Sequence, residues 1–194
     1  MDIDTAIEKV KPQLTKERFA HSLRVAELSK KLANQFGENE YKAELAGVLH
    51  DYAKYRSKEE LARWILTTSL PKDLLQYHHE LWHGPVGALL VEKELGIQDK
   101  VIQEAVHYHT TGRAYMSKLE MIIFLADYME PGRKFPGVDK VREVAKKNLE
   151  QACFMALANT IQYLLGKQAT IYPDTFYAYN YFNRKIKEEL VSGK

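Results

Sequence analysis

The chain has 194 residues, 45% of them hydrophobic, which is the size and composition of one folded domain with a substantial core. Its 28 basic and 26 acidic residues give a formal net charge of +2, too small for strong bulk attraction to nucleic acid or to a membrane surface, so we expect neither as a partner. The single cysteine, Cys153, leaves no internal disulfide to form and favours a reducing compartment.

Hydrophobic residues recur with helical spacing along nearly the whole chain, and glycine and proline fall between the periodic segments. Two segments begin with capping boxes, Ser57 with Glu60 and Ser117 with Glu120. The predicted helices cover residues 15–37, 39–54, 57–66, 84–96, 99–109, 117–130, 139–166 as one helix or two, and 173–190. The prediction is therefore an all-α single domain in which Cys153 is a buried small hydrophobe.

We expect neither a targeting segment nor a membrane span. The N-terminal stretch MDIDTAIEKV is charged and lacks the apolar core of a signal peptide. The longest apolar stretch, residues 152–166, is interrupted by Asn159, Thr160 and Gln162 and is shorter than the roughly 18 residues that a span needs. These features predict a cytoplasmic protein.

Several polar side chains fall where apolar helical faces should be buried. His21 continues the apolar stripe of its helix, and Asp127 lies four residues after Ile123 on another stripe. His109 is on the inner face of its own helix. The full set of metal-competent side chains at such faces or at helix ends is His21, His50, Asp51, His83, His109 and Asp127.

A shared cation explains these side chains together. A buried carboxylate without a partner is costly, and one ion would satisfy all of them. Mixed imidazole and carboxylate ligands suit iron, manganese or zinc and disfavour calcium, which prefers oxygen. Six ligands exceed what one catalytic ion needs if water and substrate positions stay open, and an aspartate can bridge two ions through its two oxygens. The sequence therefore predicts a site for two divalent metal ions.

The order His, His-Asp, two later histidines and Asp on a helical chain resembles the HD-domain superfamily of metal-dependent phosphohydrolases. The segments RFAHSLRVAELSKKLA, AGVLHDYAK, LWHGPVGA, VHYHTTGRAYMSKLEMIIFLADYMEPGR and IYPDTFYAYNYF resemble the bacterial HD-domain symmetrical diadenosine tetraphosphate hydrolases. The similarity runs from about Thr15 to Phe182. At one point the chain departs from the family: Tyr179 precedes Asn180 where an arginine is frequent, so we carry over no phosphate contact from that position.

The resemblance implies one HD-type helical bundle over residues 1–194, with an HD core at about 15–135 and C-terminal helices at about 139–190. It implies that His21, His50, Asp51 and Asp127 bind one metal ion. His83 and His109 would bind the second, with Asp51 bridging. Iron is the implied native metal, with manganese or another divalent ion able to substitute. The implied reaction is the cleavage of diadenosine tetraphosphate into two molecules of ADP.

Phosphoanhydride hydrolysis also suggests which residues touch the substrate. Asp51 and Lys54 are the expected catalytic residues, because Lys54 lies about one turn beyond the metal ligands and could neutralise a phosphoryl oxygen. Arg133 could hold another phosphate by bidentate contacts, and an aromatic side chain near residue 172 could stack on adenine. The expected substrate-binding residues are Arg24, Lys54, His83, His109, Thr110, Asp127, Arg133, Thr170, Ile171, Tyr172, Pro173, Asp174 and Thr175.

Other interpretations stay open at this point. Lys54 and Arg133 could be solvated surface residues, and His107 is assigned to the surface. The protein could be another HD phosphohydrolase, acting on nucleoside di- or triphosphates, alarmone nucleotides or cyclic nucleotides. It could also be a nucleotide sensor without turnover, or a di-iron protein that uses oxygen. For the tetraphosphate hydrolase, for another HD phosphohydrolase and for the sensor, the partner is a small-molecule nucleotide. The aromatic-rich C-terminus offers a contact for a homodimer.

Overall fold

The computed structural model describes residues 1–192, most of which lie in α-helices. These residues contain no β-strand, which confirms the all-α prediction. In chain order the helices are α1 (Ile3–Val10), α2 (Lys16–Phe36), α3 (Glu40–Leu49), α4 (Lys58–Thr67), α5 (His83–Leu95), α6 (Lys100–Tyr108), α7 (Lys118–Met129), α8 (Val138–Ala145), α9 (Leu149–Gly166) and α10 (Pro173–Ser192). Over the same range, no helix has both the length and the apolar character needed to cross a bilayer.

The sequence signals at the helix ends act as expected in α2 and α7. Thr15 caps α2 by accepting a hydrogen bond from the Arg18 backbone N–H at 3.2 Å, and Gly37 ends it in the left-handed region at φ 65°. Ser117 and Glu120 form the predicted capping box of α7. These caps fix where the two helices that carry His21 and Asp127 begin.

The structure corrects one predicted helix boundary, decides between two predicted alternatives and adds one helix. The second helix ends at Leu49 instead of residue 54, because the following hydrogen bonds join residues three apart, as in Lys54 N–H to Asp51 C=O at 2.8 Å. Residues 139–166 form two helices, separated where Asn148 caps α9 through the Gln151 N–H at 2.9 Å. Helix α1, which the sequence reading did not identify, starts at the Asp2 cap.

Helix α7 is the central element of the bundle and packs against α2, α3, α6, α8 and α9. Its side chains are buried on all sides, and Leu119, Ile122, Ile123 and Leu125 have no exposed surface. A polar residue near the end of such a helix is carried into the protein interior. This is the position of Asp127.

Helices α2 and α3 approach each other closely at Gly47. A Cβ atom at this position would lie 2.6 Å from the Ala26 Cα, which is a steric clash with backbone. Glycine is therefore required for this packing. The close contact brings the end of α3, where His50 and Asp51 follow, toward His21 on α2.

Candidate metal centre

The structure brings the six predicted metal ligands together in the core. His21 comes from α2, His50 and Asp51 directly follow α3, and His83 is the first residue of α5. His109 follows α6, and Asp127 lies in the last turn of α7. The side chains are 14% exposed for Asp127 and 6% or less for the other five. His83 is thus more deeply buried than its position at a helix entrance suggested.

One group of donor atoms surrounds the Oδ2 atom of Asp51. His50 Nε2 lies 3.0 Å from this oxygen, and His21 Nε2 lies 3.8 Å from it. The Oδ1 atom of Asp127 is 3.0 Å from His21 Nε2 and 3.8 Å from His50 Nε2. Four donors from three elements therefore face a common point.

A second group surrounds the other oxygen of the same aspartate. His83 Nε2 lies 3.1 Å from Asp51 Oδ1, and His109 Nε2 lies 3.9 Å from it. The two Nε2 atoms are 3.0 Å apart. The two carboxylate oxygens of Asp51 thus face different histidine pairs.

The hydrogen bonds of three rings leave their Nε2 atoms available to bind a metal ion. The Nδ1 atoms of His50, His83 and His109 lie 2.6–2.7 Å from the backbone carbonyls of Gly47, Glu80 and Val106, each three residues earlier. A carbonyl only accepts, so the proton of each ring is on Nδ1, and the lone pair of the neutral ring is on Nε2.

The unsatisfied donor atoms test whether these residues fit a metal. The Nε2 atoms of His21 and His50 and the Oδ1 atom of Asp51 are buried and form no hydrogen bond with any described residue. Lone-pair atoms about 3 Å apart are spaced like neighbouring ligands of an ion that each lie about 2.1 Å from it. Burying such atoms without a partner is costly, so the donor set fits divalent metal binding.

The charges of the cluster point the same way. Burial opposes ionisation of Asp51 and Asp127, yet the neighbouring imidazoles hold the pKa of each carboxyl well below its usual range. Burial also lowers the pKa of His50, but Asp51 outweighs it and the pKa is raised. For His109, burial and the neighbouring histidines lower the pKa well below its usual range, so this ring is neutral. The centre favours positive charge at the carboxylates and presents a neutral imidazole, as metal binding requires.

Glu130 supports this centre and was not predicted. Its Oε1 atom accepts a hydrogen bond from His21 Nδ1 at 3.1 Å, and Arg24 Nε and Gly132 N–H donate to Oε2 at 2.6 and 2.5 Å. Burial raises the pKa of Glu130, but these hydrogen bonds outweigh it and lower the pKa to about 2. A carboxylate behind a ligand histidine fixes the ring orientation. Arg24, predicted to bind substrate, is thus engaged with Glu130.

Arg18 is a second residue that the sequence reading missed. Its Nε atom donates to Asp51 Oδ2, and its Nη2 atom lies 3.9 Å from Asp127 Oδ1. It is one turn before His21 on α2, so the i to i+3 spacing places both on one face, and this spacing was the available signal. Arg18 places a positive charge directly beside two of the ligand carboxylates.

Three residues predicted to contact phosphate, Arg133, Lys54 and Thr110, lie near the predicted metal ligands and differ in their hydrogen-bond partners. Arg133 donates from Nη2 to Asp127 Oδ1 at 2.8 Å. Lys54 forms an ion pair with Glu80, whose own carbonyl orients His83. The hydroxyl of Thr110, next to His109, is buried and has no partner among residues 1–192.

The predicted nucleotide segment at residues 170–175 includes the first residues of α10. Thr175 is buried, and the Tyr172 ring makes an edge contact with Tyr77 at 5.0 Å between centroids. Burial and the nearby carboxylates of Asp174 and Asp73 raise the pKa of Tyr172 to about 12. Within residues 1–192, no hydrogen bond, ion pair or ring contact joins the segment to the predicted metal ligands, so its role stays a prediction.

The assignment of His107 to the surface is wrong. The residue is half-buried against Tyr108, with ring centroids 4.2 Å apart, and burial lowers its pKa to about 4. The prediction for Cys153 is confirmed, since this residue has no exposed surface. Helical periodicity alone did not distinguish His107 from a solvent-facing residue because α5 covers this side of α6. Gly84 of α5 shows how closely the two helices pack, since a Cβ at this position would lie 2.7 Å from the His107 carbonyl oxygen.

A pocket of about 350 Å³ opens beside His21. Its walls include three guanidinium groups, from Arg18, Arg24 and Arg133. The arrangement combines a buried cation-binding centre with a basic pocket. Such a site can bind a polyanion next to bound metal ions.

A helical bundle that gathers imidazole and carboxylate donors in its core, next to a basic pocket, defines the class of HD-type metal proteins. The HD domain model matches residues 18–132, and the chain belongs to the HD domain family.

Similar proteins extend along nearly the whole chain. The chain is 46% identical to a protein of Bacillus subtilis over 93% of its own length and 97% of the relative. It is 48% identical to one of Halalkalibacterium halodurans over 93% and 96%, and 41% identical to one of Staphylococcus aureus over 97% and 100%. All three relatives are named symmetrical bis(5'-nucleosyl)-tetraphosphatase. The resemblance to these enzymes that the sequence indicated is thus confirmed.

A solved structure has the same fold. It is a crystal structure from Clostridium acetobutylicum, described as an HD superfamily hydrolase involved in NAD metabolism. The TM-score is 0.90 at 35% sequence identity, and the match covers 95% of this chain and 98% of the other.

Proposed function

We propose that this chain hydrolyses diadenosine tetraphosphate symmetrically, giving two molecules of ADP, with two divalent metal ions bound at the described centre. The observation that carries the proposal is the convergence of six imidazole and carboxylate side chains in a chain that matches three symmetrical tetraphosphatases over nearly their full lengths. In this proposal, residues from about 15 to 135 supply the metal centre, and the helices from about 139 onward complete the nucleotide site.

The donor geometry suggests how the residues divide between the ions. His21, His50, Asp51 and Asp127 would hold one ion, because their donor atoms face a common point. His83 and His109 would hold the other, with Asp51 shared through its two oxygens. When bound, the ions supply a water that deprotonates near neutral pH and neutralise phosphoryl oxygens. Iron is the proposed native metal, and manganese is a proposed substitute, since both accept mixed nitrogen and oxygen ligands.

The chain's cations position the phosphates in this proposal. Arg133 already bonds Asp127 and lines the pocket beside the centre, so a phosphate in the pocket would meet its guanidinium. Lys54 would exchange its ion pair with Glu80 for one with a phosphoryl oxygen, since the carboxylate and the phosphoryl group both present anionic oxygens. The buried Thr110 hydroxyl offers a further donor. The segment 170–175, with Tyr172, would bind one nucleoside.

The test combines product analysis with metal analysis. Anaerobically purified protein is analysed for bound metal, then incubated with diadenosine tetraphosphate and Fe²⁺ or Mn²⁺, and the products are separated by chromatography. We expect ADP as the only nucleotide product. Equal amounts of AMP and ATP would refute symmetrical cleavage, and nucleotide binding without metal-dependent hydrolysis would favour a sensor.

Matched variants connect the activity to the centre. His50→Ala and Asp51→Ala should abolish hydrolysis and lower the bound metal, whereas the exposed His78→Ala should leave both unchanged. Lys54→Ala should raise the KM while the metal stays bound. Loss of metal in Lys54→Ala would contradict a role toward phosphate.

Two further parts of the proposal concern the protein's surroundings. A cytoplasmic location is proposed because the single cysteine needs no oxidising compartment. A homodimer is proposed because Phe176 and Tyr177 at the start of α10 are 50% and 59% exposed. Cell fractionation tests the first, and light scattering of the purified protein tests the second.

A further inference from the structure

A second pocket of about 490 Å³ lies at the junction of α7 and α8. It shares the Arg133 side chain with the pocket beside His21. Because Arg133 also bonds the ligand Asp127, a single side chain joins the metal centre to both pockets. The proposed function assigns no role to the second pocket.

Two cationic side chains of this second pocket, Arg142 and Lys134, differ in their hydrogen bonding. The Arg142 guanidinium is engaged in hydrogen bonds within the protein. It donates to the carbonyls of Met129, Glu130 and Arg133 and to the carboxylate of Asp139. Lys134 is exposed and makes no hydrogen bond or ion pair with the described part of the chain. Arg142 therefore holds the loop in shape, and Lys134 supplies charge available to a ligand.

An aromatic ring is held in the same pocket. Phe135 is 37% exposed, and its ring makes an edge contact with Tyr128 at 5.0 Å between centroids and 84° between planes. The Tyr128 hydroxyl in turn accepts a hydrogen bond from Asn159 Nδ2 at 3.1 Å. A partly exposed aromatic ring whose support is fixed by the fold is a suitable surface for stacking a nucleobase.

We propose that this second pocket binds the nucleoside at the other end of the substrate, with Phe135 stacking on the base and Lys134 and Arg133 contacting its phosphates. The inference rests on the proposed function, because a symmetrically cleaved dinucleoside polyphosphate carries one nucleoside on each side of the reacting bond. Segment 170–175 accounts for one of them. The pocket connected through Arg133 to the metal centre, with both an aromatic ring and an available cation, accounts for the other.

The first test compares two substrates that differ only in the second nucleoside. Diadenosine tetraphosphate has two adenosines, and adenosine 5'-tetraphosphate has one. Phe135→Ala should lower kcat/KM about tenfold for the first substrate and less than twofold for the second, since one lost stacking contact is worth about that factor. Phe135→Trp should restore the rate. Tyr41→Ala, which removes an exposed aromatic ring of α3, is the matched control and should change neither rate.

The second test does not depend on turnover. Equilibrium dialysis of ADP against the Mn²⁺-loaded protein should give two ADP per chain. In Phe135→Ala, and in Lys134→Ala, whose side chain is exposed and does not support the fold, one of the two sites should weaken at least fivefold. Thermal melts establish that the variants are folded.

The outcomes separate this inference from the proposed function. If the wild-type protein does not cleave diadenosine tetraphosphate, the proposed function is wrong, and ADP stoichiometry alone decides the pocket. If the wild type cleaves it but Phe135→Ala affects both substrates equally, the pocket assignment is wrong. One ADP per chain in the wild type, or two sites unchanged in both variants, would overturn it as well.

Discussion

Glu130→Gln tests whether the carboxylate behind His21 controls metal binding. In the wild type Glu130 accepts hydrogen bonds from His21, Arg24 and Gly132. Glutamine has nearly the same shape but only one accepting oxygen, and its amide N–H groups would face the Arg24 guanidinium. His21 would lose the charge that holds its ring, and removal of such a partner weakens metal affinity about 10- to 100-fold. This equals about 1.4–2.7 kcal/mol of binding free energy.

The fold contains a closely matched control for this variant. Glu120 is equally buried and accepts two hydrogen bonds from Arg113 and one from the Ser117 backbone N–H, but among the described residues it forms no hydrogen bond or ion pair with a histidine of the predicted metal site. Glu120→Gln and Glu130→Gln should each lower the free energy of unfolding by about 2 kcal/mol, because each removes buried hydrogen bonds to a charged group.

The assay is competition for Mn²⁺ with a chelator of known affinity, together with urea unfolding of the metal-free proteins. Only Glu130→Gln should weaken Mn²⁺ binding beyond twofold. If its affinity stays within twofold of the wild type, or if Glu120→Gln weakens binding equally, the proposed role of Glu130 in orienting His21 is wrong.

Three further predictions follow from burial and shared ligands. Gly47→Ala should lower the free energy of unfolding by about 1–3 kcal/mol, because its Cβ would clash with Ala26, and an unchanged urea midpoint would contradict this. Burial raises the pKa of the Cys153 thiol well above its usual range, so Cys153 should resist thiol reagents at pH 8 until denaturant is added; rapid labelling of native protein would disprove it. If the centre holds two ions as proposed, elemental analysis should find both lost in Asp51→Asn but one retained in His83→Ala, and equal losses in the two variants would contradict a shared role of Asp51.

Part of the predicted ligand set could be found because regular helical spacing carries it. His21 and Asp127 continue apolar stripes, and a polar residue on such a stripe is conspicuous in the sequence. Glu130 follows the last residue of α7 and has a non-helical backbone conformation, with ψ 155°. Helical spacing therefore does not predict the direction of its side chain. Its partnership with His21 joins residues 109 positions apart, which no local pattern encodes.

Local sequence patterns also could not predict where the second helix ends or which residue pairs with Lys54. The sequence 39–54 has helical composition throughout, but after Leu49 the backbone hydrogen bonds join residues three apart and the α-helix ends. The ion pair of Lys54 with Glu80 depends on how the segment before α5 packs against this turn. Hydrophobic periodicity predicts which face of a helix is buried, and it does not predict which polar groups meet at the ends of different helices.

The four imidazoles are oriented over very different distances along the chain. His50, His83 and His109 each bond a carbonyl three residues earlier, so contacts within a single turn orient these rings. The orientation of the His21 ring instead depends on Glu130, which follows α7 and is 109 residues away in the sequence. Three of these rings are therefore oriented by local backbone structure, and the orientation of the fourth depends on tertiary packing between two helices that lie far apart in the sequence.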